Sequence, residues 1–117
     1  MKKSYNYLEK EYLSKFRDEI NKAETVSDVR EITLRTVREL LLQVKGEIER
    51  DLLEDIKFTP DDPQGHLKLG EKLKELLKEE IETSDLMSVI NTFVESAVKR
   101  YRHFEKSDEK YKEDRRV

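Results

Sequence analysis

The stretch from Val26 to Ile56 is amphipathic from end to end and contains no proline. On a 3.6-residue wheel Val26, Val29, Thr33, Leu34, Val37, Leu40, Leu41, Val44, Ile48 and Leu52 fall on one stripe. A single helix over this stretch would run roughly 45 Å at 1.5 Å per residue, against ~30 Å for each neighbouring segment. Its stripe therefore outruns what an in-register bundle of the same chain can cover. The uncovered part calls for a second module of this chain, or for a second chain.

The remaining periodicity is also helical. Tyr5, Leu8, Tyr12, Leu13, Phe16 and Ile20 make the stripe of a first helix, about residues 4–22. Thr25, with Asp28 three residues on, is a capping-box-like start for the long helix, about 26–56. Asp62 followed by Pro63 reads as N-cap and first helical residue of a third helix, about 63–82, and Thr59-Pro60 offers one preceding turn of the same kind. Leu69, Leu73, Leu76, Leu77 and Ile81 form its face, where Gly70 permits a close backbone approach. Thr83, Ser84 and Asp85 supply caps for a fourth helix, about 85–106, whose stripe runs from Leu86 through Ile90, Phe93, Val94 and Ala97 to Tyr101 and Phe104. The expected fold is all-α, four-helix bundle-like, in a single domain of residues 1–106. A charged, flexible tail over 107–117 completes the chain, because apolar periodicity stops after Phe104.

The unequal helix lengths carry the expectation about assembly. The first helix folds back over the first half of the long one, and the third and fourth cover its second half. The N-terminal half is then a two-helix hairpin that leaves its stripe open, and two such hairpins across a two-fold axis would close it. A homodimer is the expectation. A break near Gly46, giving a compact monomer, is the alternative. Val37 and Leu40 lie in the expected dimer seam, while Leu42 and Leu53, with Gly46 between them, lie off the main stripe as a seat for another helix.

Composition narrows the chemistry. There is no cysteine, so disulfides, cysteine-ligated zinc and thiol catalysis are absent together. Charged residues make up 44% of the chain and Gln and Asn are scarce, a surface that resembles those of thermophile proteins. No apolar run approaches the ~18 residues of a membrane span, and the N-terminus has no signal-peptide pattern. The expectation is a cytoplasmic protein with no membrane partner.

Neither histidine fits a di-iron bundle, since Pro63 and Arg100 stand three residues before His66 and His103. Asp61, Asp62 and His66 are the donors nearest to a metal set, but capping and core packing account for them, and no metal or cofactor is expected. Serine hydrolase spacing and phosphate-cradling glycine loops are both missing. The C-terminal end from Lys99 carries eight Lys/Arg against five Asp/Glu, although the net charge is −3 overall. Within it Lys99, Arg100, Arg102 and His103 are the candidates for binding RNA or DNA. The same cations also suit a helix C-terminus, where they compensate the dipole. The sequence therefore reads first as a non-enzymatic interaction or assembly module. A small subunit of a nucleoprotein complex comes second, and a metal or small-molecule binder at the 59–66 connection third.

Overall fold

The structure, a computed structural model, describes residues 4–115, with side chains over 4–105. It is mostly helical: α1 (Asn6–Lys22), α2 (Val26–Lys45), α3 (Arg50–Glu54), α4 (Glu71–Leu76), α5 (Lys78–Thr83) and α6 (Leu86–Arg115), with one hairpin of β1 (Ile56–Phe58) and β2 (Leu67–Leu69) between α3 and α4. The fourth expected helix, about 85–106, is α6 and continues to Arg115 over most of the expected tail of 107–117, of which 116 and 117 lie outside the described residues. Among the described residues no helix is long and apolar enough to cross a membrane.

The start of α2 obeys the expected chemistry. Asp28 N–H donates to Thr25 Oγ1 at 3.0 Å, and Asp28 Oδ2 accepts from the backbone N–H of Thr25 and of Glu24. This capping box satisfies donors that a helix N-terminus otherwise leaves bare. Helix α6 is capped differently. Leu86 N–H donates to Ser84 Oγ at 3.1 Å, while the Asp85 carboxylate turns away and accepts from Tyr5 N–H at 2.7 Å and Ser4 Oγ at 2.9 Å. The bond from the Tyr5 amide holds the Asp85 carboxyl below its ordinary range, against its partial desolvation.

The long helix does not exist. It stops at Lys45, and the chain turns at Gly46 with φ of +76° and ψ of −49°. Gly46 N–H closes on Leu42 O at 2.7 Å, and Glu47 N–H reaches Lys45 O at 2.9 Å, the i to i+2 bond of a γ-turn. A side chain at Gly46 would meet no neighbouring atom, so the need for glycine is set by φ alone. The chain then folds back through α3, whose Leu53 carbonyl accepts from Arg38 Nε on α2 at 3.1 Å.

The third expected helix is corrected as well. Residues 63–70 belong to the hairpin, and the segment beyond Gly70 is helical in two pieces, α4 and α5, that meet at Leu77. The strands pair antiparallel, Ile56 with Leu69, Lys57 with Lys68 and Phe58 with Leu67. Ile56, Phe58 and Leu69 point inward and are buried, and the lysine pair faces solvent. Asp62-Pro63 is a turn and not a helix start: Gln64 N–H donates to Asp62 Oδ1, and Gly65 N–H reaches Asp62 O. Asp, Pro and Gly at the first, second and fourth positions suit such a turn. The expectation of an all-α chain thus holds only as a mostly helical one.

The core lies where α6 crosses both α1 and α2. Leu8, Phe16 and Ile20 of α1, Val29, Val37, Leu40 and Leu41 of α2, and Ile90, Phe93 and Ala97 of α6 are fully or nearly fully buried. Phe16 and Phe93 meet edge to face with centroids 5.3 Å apart. Contacts from Tyr5 to Asp85, Arg17 to Ser96 and Ala23 to Arg100 set α1 and α6 parallel. The α1/α2 stripe is therefore covered by α6, and the length mismatch that called for a second copy is gone.

Two substitutions separate the two constraints. Phe93→Ala should lose ~3–5 kcal/mol of stability through the cavity it leaves. Gly46→Ala, which creates no clash, should lose about 1–3 kcal/mol through backbone strain alone. Urea unfolding measures both, and a wild-type midpoint for Gly46→Ala would mean that the turn is not formed in solution.

Candidate functional site

The hairpin and the α4/α5 pair form the walls of an open groove of about 570 Å³, a volume in the range of ordinary ligand sites. Its floor is apolar, from Leu67 and Leu69 of β2, Ile81 of α5 and Met87 of α6. Its rim is basic, from Lys68, Lys74 and Lys78, with Glu82 the single carboxylate in the lining. Lys74 and Lys78 stand one turn apart along α4 and α5, and neither has a carboxylate partner among the described residues. Lys68 is different: its ammonium pairs with Asp62 in the hairpin turn. That bond and the Gln64 amide hold the Asp62 carboxyl below its usual range.

The groove wall is fixed from three sides. Phe58 packs edge to face on Tyr101 of α6 at 6.3 Å, and the Tyr101 hydroxyl donates to Asp61 Oδ2 at 3.0 Å. Burial, reinforced by the bond to Asp61, pushes the Tyr101 phenol up to about 12. At the other end of the hairpin, Gly70 N–H donates to Asp55 O at 2.9 Å. A Cβ on Gly70 would lie 1.8 Å from Asp55 Oδ2 and 2.5 Å from its Cγ, so what approaches this glycine is the Asp55 side chain at a strand-to-helix corner, and not the backbone of a packed helix as expected. On the far side, Glu80 of α5 pairs with Lys45 at the end of α2, at 3.0 Å and largely shielded.

The structure does not bring the partner-contact candidates from the sequence together on one exposed surface. Val37 and Leu40 are fully buried in the chain's own core, Leu53 is buried under α2, and Leu42 is partly buried against the core. Gly46 sits in the turn, so Leu42 and Leu53 do not flank it on one helix face. Asp61, Asp62 and His66 are brought to one loop but work as structure. Asp61 accepts from Tyr101, Asp62 shapes the turn, and the His66 carbonyl accepts from Thr59 N–H at 2.7 Å. Among the described residues no three His, Asp or Glu side chains converge as a metal set.

The basic candidates of α6 fare better. Lys99, Arg100 and His103 line one cleft with Arg17 and Asn21 of α1, while Arg102 is exposed outside that lining. Arg100 is engaged: its guanidinium donates to Ala23 O at 3.0 Å and lies over the Phe104 ring at 4.7 Å. The lysine-rimmed groove is invisible to sequence reasoning, since its lining, Met87 apart, comes from segments that read as one continuous helix. Lys74 and Lys78 at i, i+4 are its only trace there.

In comparisons with known proteins no family model matches the chain, and no curated protein or solved structure matches it.

The anchor of the groove wall has a pH signature. Because the folded Tyr101 phenol ionises later than an unfolded one, its contribution is complete below the unfolded value near 10 and is lost as pH rises toward about 12. Tyr101→Phe should remove a phenol that titrates near 12 in ultraviolet difference spectra, and should flatten the fall in stability over that window. Unchanged late-titrating absorbance in the variant would place the late-titrating phenol elsewhere.

Proposed function

We propose that the chain is a non-enzymatic interaction module, whose partner is an acidic, amphipathic segment lodged in the groove between the hairpin and α4/α5. The observation that supports this reading is the groove's composition, an apolar floor beneath two lysines that have no carboxylate partner among the described residues. Apolar area supplies attraction without direction, and the lysines favour a segment that carries Asp or Glu beside its apolar residues. Glu82, the single carboxylate in the lining, calls for a neutral or basic residue of that segment at its own end of the groove. The site is open along one side, which suits a peptide more than an enclosed small molecule.

A labelled helical peptide with Leu on one face and Glu on the other is a direct probe, compared with the same peptide carrying Lys for Glu. Anisotropy should report binding of the acidic peptide only, weakening as salt rises. Lys74→Glu with Lys78→Glu should weaken it at least about ten-fold while leaving the circular dichroism unchanged. Equal binding of both peptides, or none of the acidic one, would overturn the reading. Sedimentation alongside tests self-association: a dimer that these two substitutions dissociate would make a second copy the partner, and would replace the acidic peptide in this reading.

A further inference from the structure

A second concave surface lies between α1 and α6. Arg17, Ile20 and Asn21 of α1 and Ser96, Lys99, Arg100 and His103 of α6 line a cleft of about 410 Å³. No carboxylate is among them, in a chain with 27 Asp and Glu residues. Some cations elsewhere are answered by close carboxylates, as in Lys22–Asp18, Arg35–Glu19, Lys45–Glu80 and Arg50–Glu54, and others, such as Lys74 and Lys78 of the groove, are not. Arg17 and Lys99 have no such partner among the described residues, and Arg17 Nε meets only Ser96 Oγ, at 3.4 Å. Helical spacing extends the furrow upward on α1 through Ser14 and Lys10, and on α6 through Thr92.

We infer that this furrow binds the phosphodiester backbone of single-stranded RNA, with Arg17 and Lys99 as its phosphate contacts. Arg100 plays another part. It neutralises the carbonyl end of α1 at Ala23, which would otherwise present a negative dipole to an anion in the cleft. With that end compensated, the cations of the lining face an anion with no carboxylate among them. Asn21 and Ser96 add neutral donors beside them, and polar contacts of this kind position a backbone without reading its sequence. The His103 ring is exposed at the end of the furrow, where an unstacked base can lie against it. A membrane surface fits less well: the cleft is concave, and the most exposed large apolar side chains, Tyr7 and Leu76, are not in its lining.

The inference is independent of the lysine-rimmed groove, because none of its residues is shared. Anisotropy of a labelled, mixed-sequence single-stranded RNA of about ten nucleotides tests it on the intact chain. Wild type should bind at low salt, with an affinity that falls log-linearly as salt rises. Arg17→Gln with Lys99→Gln should weaken binding by about ten-fold or more and reduce the salt slope by roughly 1.4, near 0.7 for each lost phosphate contact. Arg30→Gln with Lys57→Gln removes the same charge from exposed positions elsewhere and should change affinity less than about two-fold. No binding by wild type at low salt would overturn the inference, and so would equal weakening by the two double variants. A thermal melt of each variant, expected to match wild type, keeps loss of folding from imitating loss of contact.

Discussion

Everything in this molecule is arranged around the placement of α6 over the α1/α2 pair. Its first turn is tied to α1 by the Asp85 carboxylate, its middle is locked by the Phe16–Phe93 contact, and its later turns reach the end of α1 through Arg100. Two packed helices expose most of the apolar stripe that joins them, so a third must lie in their groove or a second molecule must. Here the chain provides the third itself. With that groove filled, the hairpin and α4/α5 are free to be an appendage, anchored to α6 through Tyr101 and to α2 through Lys45.

Local chemistry decides the parts that are legible in the sequence. The limits of α1, the Thr25–Asp28 box and the start of α6 come from caps and helical spacing, and the structure bears them out. So does most of the expected core: Val37, Leu40, Leu41, Leu73, Leu77, Ile90, Phe93 and Ala97 are buried, while Val44 and Ile48, next to the Gly46 turn, are only partly so. The break at Gly46, the alternative reading of the sequence, is the one the structure takes; the sequence does not favour it because a glycine carries only a modest penalty inside a helix. Its other property, access to positive φ, lets the chain leave the helix there and cover itself. A continuous apolar stripe does not reveal where a helix ends when the next segment uses the same stripe on folding back.

The hairpin is hidden for a related reason. Ile56-Lys57-Phe58 and Leu67-Lys68-Leu69 do alternate, but three residues of period two compete with longer helical patterns that run through the same leucines. Their pairing is decided by contacts across the turn and against Tyr101, none of which is local. The groove that the hairpin helps to build is illegible with it. The basic cleft is half legible, since Lys99, Arg100 and His103 share a helix stretch, whereas Arg17 joins them only through the parallel packing of α1 on α6. An apolar stripe that makes 26–56 look like the longest helix conceals that α6 holds that place.

The parallel packing of the first and last helices also dictates an order of events. The bonds that tie α1 to α6 join residues between 77 and 81 positions apart. On the ribosome the α1/α2 pair is complete long before Phe93 has been made, and its apolar face stays open for that interval. Closing so long a loop delays folding more than it weakens the final state. The nascent N-terminal half is thus the stage at which this chain is most exposed to aggregation. Its dense surface charge acts there before any core exists to protect it.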